Sequence, residues 1–594
     1  MPSLSLLILL LAVLCAPRAA AQDASRPAAD APATPPYVAY ELVVDGPDPP
    51  AAALRAGLDL ARWQSDPEMT LDLLERLARD ALPQARDIAA IEGFFDAEIG
   101  VSLDRSVSPL AVRVTVATGP RTSVGTVAIA VTGPAATDVP LGTDAIADAR
   151  ARFALQPGDA FRQADWIDAK DDVVRRIRRS PYAAARITES EALVDPPRAR
   201  ADLTLAIDSG PPFRIGPIAV QGTRRYAASL VENFSTFERG EPYSEDAIDA
   251  FVRRLSASGY FASVQASIDP ASETPQDATV KVAVIEAPTH RVEGSLSYST
   301  DTRYGARASY TNVNVDGAGL QMRLDGRLED KEQLAAAVFT RPPTPRGWID
   351  RFTIGAKRSD YQDTLQSTVG IGVERRGIDE RHHPIFAASY YFDREEPQGA
   401  QPTSARALYL EAGYVLRRAD DLLSPTRGYM VEARAGAGVP GASTESFGRA
   451  TVKSIAWYPV GHMTGLTFRA EAGGVFGAAR ENVPSILLFR TGGDTTVRGY
   501  AFESLGVSLG DAIVGGRYYA LASAEAVRWI NEVWGIAAFV DAGDAADTLG
   551  SLEPAVGVGV GARLATPIGP FRLDLAYGER TRGWRLHFSV GLTF

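Results

Sequence analysis

From about residue 289 to its end, the chain is a series of short segments in which every second residue is apolar. The last of them, "GWRLHFSVGLTF", sets Trp584, Leu586, Phe588, Val590, Leu592 and Phe594 on one face and Arg585, His587, Ser589, Gly591 and Thr593 on the other. "VEGSLSYST", "ARALYLEAGYVLRR", "PAVGVGVGARL" and "GPFRLDLAYGE" repeat the pattern, separated by turn residues. A strand that crosses a bilayer needs roughly 9 to 11 residues with apolar side chains outward and polar ones inward, and about sixteen such segments fit here. Arginines and acids at the polar positions would line a wet lumen. A large soluble all-β domain shares the periodicity. Against it stand the even strand count, the Tyr, Phe and Trp residues near segment ends, and the start of the chain.

That start reads "MPSLSLLILLLAVLCAPRAAAQDA". Leu4 to Leu14 form an apolar core too short to span a bilayer, and Ala19, Ala20 and Ala21 follow it, which predicts a secretory signal cleaved after Ala21. Its n-region has no positive charge beyond the amino terminus. The one cysteine, Cys15, falls inside this segment, so cleavage leaves neither a disulfide nor a thiolate metal site. Leu14 before it is too large for a lipoprotein signal. No later run approaches the roughly 20 apolar residues of a membrane helix. A net charge of −12 excludes a broad nucleic-acid-binding face, so no nucleic-acid partner is expected.

Between these two regions a pattern recurs. In "SEDAIDAFVRRLSASGYFASVQASID" the apolar set Ile248, Phe251, Val252 and Leu255 gives one helical face. Ser244 is placed to cap that helix, Glu245 and Asp246 load its first turn, and Gly259 can end it. "VVRRIRRSPYAAARI" aligns with it, matching Tyr182 to Tyr260, and "IAAIEGFFDAEIGV" matches Gly93, Phe94 and Phe95 to Gly259, Tyr260 and Phe261. Each copy follows a β-like opener, "YELVVDG", "VAIAVTG" or "GPIAVQG", and precedes an alternating strand such as "ATVKVAVIE". The unit is β-α-α-β-β, about 80 residues long and present in three copies. Three unrelated α+β domains are the plainer alternative.

A long connection, residues 477–514, lies between the eleventh and twelfth predicted strands and carries Val497-Arg498-Gly499-Tyr500. This resembles the VRGY/F motif of the BamA superfamily, whose members insert or export proteins through the outer membrane. "DDLLSPTRGYMVEA" resembles that family's D-x-x-x-x-P-T-R-G turn, "GGRYYALASAEAV" its twelfth-strand motif ending at Glu525, and "FVDAGD" its F-x-D-x-G strand with Asp541. The repeats resemble POTRA domains. Three of them ahead of sixteen strands look like the TamA branch, since BamA itself typically has five, and two-partner secretion transporters have two and a plug helix. The terminal strand looks like an outer-membrane β-signal with its final aromatic, Phe594.

The resemblance implies a signal peptide over 1–21, a linker over 22–36, POTRA domains over 37–120, 121–212 and 213–288, and a barrel over 289–594. The implied fold class is thus α+β repeats followed by a 16-stranded transmembrane β-barrel in the bacterial outer membrane, with the repeats in the periplasm. It also implies that Arg498, with Gly499 and Tyr500, folds back against Glu525 and Asp541, since a guanidinium can hold a carboxylate through two hydrogen bonds. A lateral seam between the first and last strands, near Gly294, Gly591 and Phe594, would offer its edge to client strands. Glycine weakens strand interiors. Implied partners are client β-barrel or autotransporter proteins, outer-membrane lipid and a TamB-like protein anchored in the inner membrane. A BamA-type general insertase and a passive porin are the alternatives. No cofactor, metal or covalent chemistry is expected.

Three motifs point elsewhere and fail on context. "GVSLG" fits G-x-S-x-G, but no helix follows Ser508, and the chain has five histidines. "GAGVPG" matches G-x-G-x-x-G but reads as a hairpin turn. His382 and His383 are adjacent, so on a strand they point to opposite faces and serve poorly as joint metal ligands; a surface loop is the expectation for them.

Overall fold

The computed structural model describes residues 37–593 except 301–302, 422–423, 462 and 567–568. The expected signal peptide, the linker and Phe594 lie outside the described residues.

Three modules of one topology come first. The first comprises β1 (Tyr40–Asp45), α1 (Pro50–Gly57), α2 (Asp59–Arg62), α3 (Leu71–Ile91), β2 (Glu98–Asp104) and β3 (Leu110–Ala117). The second comprises β4 (Ser123–Thr132), α4 (Leu141–Ala151), α5 (Gln163–Arg179), β5 (Arg186–Asp195) and β6 (Arg200–Asp208). The third comprises β7 (Ile215–Gln221), α6 (Ala228–Glu232), α7 (Glu245–Ala257), β8 (Phe261–Ser267) and β9 (Ala278–Glu286). In each the last strand is central, giving the orders β1-β3-β2, β4-β6-β5 and β7-β9-β8. The alternation explains this place: Val280, Val282 and Val284 of β9 all point into the core.

Helix α7 buries Ile248, Phe251 and Leu255 as its spacing requires, while Val252 is only half-buried and the aliphatic stem of Arg254 takes the fourth place. Ser244 stands at the N-cap, yet its side chain makes no capping bond. Its carbonyl instead accepts from the N–H groups of Ala247 and Ile248, both at 3.2 Å. Gly93 and Gly259 follow α3 and α7 with φ of +92° and +80°, the left-handed conformation that turns the chain out of a helix. Phe94, Tyr182 and Tyr260 are buried just beyond the ends of α3, α5 and α7.

Sixteen strands then close into a barrel of antiparallel neighbours. They are β10 (His290–Ser299), β11 (Arg303–Asn312), β12 (Gln321–Glu329), β13 (Glu332–Thr340), β14 (Trp348–Tyr361) and β15 (Thr364–Gly377). Next come β16 (His382–Pro397), β17 (Thr403–Ala419), β18 (Gly428–Gly438), β19 (Phe447–Val460) and β20 (Thr464–Phe476). A short hairpin, β21 (Val507–Leu509) and β22 (Ala512–Val514), precedes β23 (Tyr518–Trp529), β24 (Trp534–Ala546), β25 (Ala555–Thr566), β26 (Gly569–Gly578) and β27 (Gly583–Thr593). The strands are longer than the expected ten residues where β16 and β17 reach 16 and 17. Their far ends carry polar alternation past the apolar band. His382 and His383 open β16 instead of lying in a loop.

Along β14 and β15 the exposed residues Phe352, Ile354, Val369, Ile371 and Val373 face outward, and Arg351, Lys357 and Glu374 face inward. An apolar exterior of this extent around a polar interior is what lipid, and not water, accommodates.

The third module is packed onto the near-side turns of the barrel. Val313 and Ile378 complete its hydrophobic core. Tyr260 Oη donates to Gly319 O at 2.6 Å, Gln321 Nε2 to Ser258 O at 2.7 Å and Asn233 Nδ2 to Pro343 O at 2.9 Å. Burial raises the Tyr260 phenol above its ordinary pKa and lowers that of Arg254.

Candidate functional site

The connection between β20 and β23 turns back into the lumen instead of projecting away from it. At Arg498 it meets the inner wall. Arg498 Nε and Nη2 donate to the two carboxylate oxygens of Asp541 at 2.7 and 3.0 Å, and the Arg498 backbone N–H adds a third bond at 3.1 Å. Nη1 reaches Glu525 at 2.5 Å and Asp574 at 3.2 Å. The guanidinium lies 3.4 Å above the ring of Phe539. Asp541 is fully buried and accepts a further bond from Ser523 Oγ at 2.7 Å.

The family resemblance pairs Arg498 with two acids, whereas the wall supplies three and a second cation. Arg563 donates to Glu525 at 3.0 Å and to Asp574. Two guanidiniums thus hold three carboxylates in one water-poor cluster, and each charge has an opposite partner. Asp574, Arg563, Phe539 and His587 were not singled out from the sequence. Each occupies an inward position of its strand, which period-2 alternation marks, but their convergence depends on cross-strand register.

Gly499 and Tyr500 fix the loop tip. The Gly499 N–H donates to His587 Nε2 of β27 at 3.0 Å, which requires the lone pair on that nitrogen. Gly499 has φ +96°, and a Cβ there would stand 2.8 Å from Gly578 N. Tyr500 is buried with Val497, Leu505, Leu521 and Ala555; its hydroxyl donates to Val556 O at 2.9 Å and accepts from Arg580 N at 3.0 Å.

A second anchor holds the start of the loop to β16. Asp393 accepts from Ser485 N and Oγ at 2.8 and 3.0 Å, and Arg480 donates to Glu395 at 3.0 Å, all among buried groups. Phe489 stacks on Tyr519 with ring centroids 4.3 Å apart. The hairpin β21–β22, which holds the Ser508 of the "GVSLG" match, rests on the far-side turns: Ile513 N donates to Gln362 O at 3.0 Å and Asp511 N to Gln398 O at 3.1 Å.

The seam contrasts with this density. Among the described residues β10 and β27 pair only over Ser295–Ser299 against Ser589–Thr593, with Ser297 opposite Gly591. One further backbone bond, Thr300 N to Phe588 O at 3.1 Å, extends it. Gly294 lies one residue before this stretch and pairs with Ala308 of β11. Elsewhere adjoining strands pair at greater length, as in β16–β17 from His382 to Glu395. The expected third seam residue, Phe594, is outside the described residues. In the D-x-x-x-x-P-T-R-G turn, Asp420 accepts from Thr426 Oγ1 and from the N–H groups of Arg427, Thr426 and Asp421, which hold its carboxyl well below the usual range.

Residues 288–594 match the Omp85 superfamily domain, and residues 213–287 match the POTRA family described as the surface antigen variable number repeat. The outer membrane protein assembly factor BamA of Neisseria meningitidis serogroup B is 22% identical over 387 residues, which cover 60% of this chain and 48% of that protein. BamA of Nitratidesulfovibrio vulgaris is 23% identical over 422 residues, 66% of this chain and 53% of that one. The chain therefore spans about half the length of these curated relatives. The crystal structure of BamA from Haemophilus ducreyi lacking POTRA domains 1–3 shares the fold, with a TM-score of 0.54 at 16% identity, covering 80% of this chain and all of that one. Barrel, repeats and matched residues agree, and the chain belongs to the Omp85 superfamily.

Proposed function

We propose that the protein assists the insertion or secretion of outer-membrane proteins, by offering the edge of a lateral seam to an incoming client strand. It is an outer-membrane protein with periplasmic POTRA domains. The observation that carries the reading is the seam: among the described residues the barrel is joined over five residues per strand between β10 and β27, against fourteen between β16 and β17. A short ladder is opened at lower cost than a long one, and an opened edge presents unpaired N–H and C=O groups that a client strand can complete. No covalent step is involved. The loop clasp around Arg498 keeps the neighbouring wall in register while the seam exchanges partners.

The finer reading is a TamA-like assembly factor for β-barrel or autotransporter clients, whose POTRA arm docks a TamB-like, inner-membrane-anchored partner. Three modules ahead of the barrel support it. The likeness to BamA supports a second reading, a general insertase, and lethality on depletion would favour that one.

Cysteines at Ser297 and Gly591, which face each other in the register, allow the seam to be locked by oxidation. Client assembly is expected to stop in the oxidised barrel and to return on reduction; undiminished assembly while locked overturns the seam mechanism. Deleting residues 37–288 is expected to abolish client delivery, whereas a passive channel would keep its conductance.

A further inference from the structure

On the outer wall of β13–β16, close to the third module, two rows of side chains lie across the strands. The row nearer the module is Arg341, Asp350, Arg375 and Phe386, and the row above it is Phe339, Phe352, Val373 and Ala388, as the registers of β13 to β16 require. The outward positions of β14 then continue as Ile354, Ala356 and Arg358, so the apolar band lies between two charged levels. Charge on a lipid-facing strand is tolerated only near the head groups, which places the first row at the periplasmic interface. Trp348, whose ring lies 6.1 Å from that of Phe386, marks the same level.

Between the rows is a cavity of about 690 Å³ lined by Leu320, Phe339, Phe352, Val373 and Phe386, with Arg341, Asp350 and Arg375 at its edge. Its size is that of a small-molecule site and not of a gap between two side chains. The small Ala388 leaves it open. Arg375 is occupied: its Nε and Nη2 donate to the two oxygens of Asp350 at 2.6 and 2.8 Å. Arg341 is exposed and feels the charge of Asp350, but among the described residues its guanidinium makes no side-chain hydrogen bond and no ion pair within 4 Å. The edge therefore carries one net positive charge beside an apolar recess.

We propose that this recess binds one anionic phospholipid of the periplasmic leaflet, with the phosphate on Arg341 and the start of an acyl chain between Phe339, Phe352 and Phe386. A head group of net charge −1 matches the uncompensated cation, and a zwitterionic one does not. The recess adjoins the turns on which the third POTRA domain rests, so the lipid would sit at the root of the arm. This goes beyond the assembly reading and does not depend on the seam.

The test uses the full chain reconstituted in phosphatidylcholine bilayers containing a minor fraction of brominated lipid. The fluorescence of Trp348 is isolated as the difference from Trp348→Phe. Brominated phosphatidylglycerol is expected to be enriched about fivefold over brominated phosphatidylcholine, the factor for one arginine at a membrane surface. Arg341→Gln removes the preference, Arg346→Gln on the same turn keeps it, and Ala388→Leu, which fills the recess, removes it in a barrel that still runs as folded on a semi-native gel. Equal quenching by the two lipids, or equal loss in Arg341→Gln and Arg346→Gln, overturns the site in favour of ordinary annular lipid. Absence of quenching by either lipid rejects the embedded barrel as well.

Discussion

The clasp and the seam both hold barrel strands together, and they differ in what they leave unmade. Around Arg498 every charge finds a partner from a different strand or from the loop, and Asp541 is closed off from solvent entirely. At the seam the strands share a short ladder of Ser, Leu and Gly positions with no ion pair across it among the described residues. A barrel held equally at every junction could not exchange a strand, and one held weakly at every junction would not persist. Concentrating cohesion in the wall from β23 to β26, and withholding it from β10–β27, separates the two needs.

The largest effect should come from the clasp. Arg498→Ala leaves Asp541 without its cation and Glu525 and Asp574 to share Arg563, and removing one partner of a buried pair costs about 3–5 kcal/mol. The expected outcome is loss of the compact, heat-modifiable band on semi-native gels, with the POTRA domains still folded by proteolysis. Arg498→Lys should recover only part of it, since an ammonium cannot hold both oxygens of Asp541. A variant as stable as the parent would remove one side of the comparison.

The second anchor should matter less. Asp393→Asn keeps the size of the side chain but weakens what Ser485 and Thr368 donate to, for a loss of about 1–3 kcal/mol. Loop proteolysis between Arg480 and Arg490 should rise while the Arg498 region stays protected. Equal exposure of both regions would make the loop one cooperative unit.

The smallest effect concerns the root of β10. Burial alone would raise the Glu286 carboxyl, but Arg225 and the N–H groups of Arg224 and Arg225 outweigh it and hold it at about 2, against an ordinary 4.5. Arg225 also donates to Ala287 O and Thr289 Oγ1, so this pair fastens the chain where it enters the barrel. A carboxyl with a lowered folded pKa stabilises fully above its unfolded value, and that stabilisation is lost as pH falls from about 4.5 through about 2. Hydrogen exchange of β9 and the first residues of β10 should quicken across that window, and Glu286→Gln should abolish the dependence.

Much of this was legible in the sequence, for different physical reasons. Strand alternation is local, so the barrel and its inward faces could be read directly. The module topology followed from aligned turns at Gly93, Tyr182 and Gly259. Arg498, Glu525 and Asp541 were picked out by their motifs. Arg563, Asp574 and His587 were visible only as inward residues, because their meeting depends on how far β25, β26 and β27 are sheared against one another. The anchor of Arg480 and Ser485 on Glu395 and Asp393 joins segments about 90 residues apart and leaves no local periodicity to find. Strand length was misjudged because polar tips continue the pleat beyond the lipid.

The bonds from Tyr260, Asn233 and Gln321 tie the third POTRA domain to turns belonging to the first seven strands, and none of them reaches the strands that carry the Arg498 cluster. A pull on that domain is therefore delivered to one leaf of the barrel and not the other. Mechanically the domain is a handle on the leaf that ends at β10, the strand whose outer edge carries the barrel's shortest ladder among the described residues.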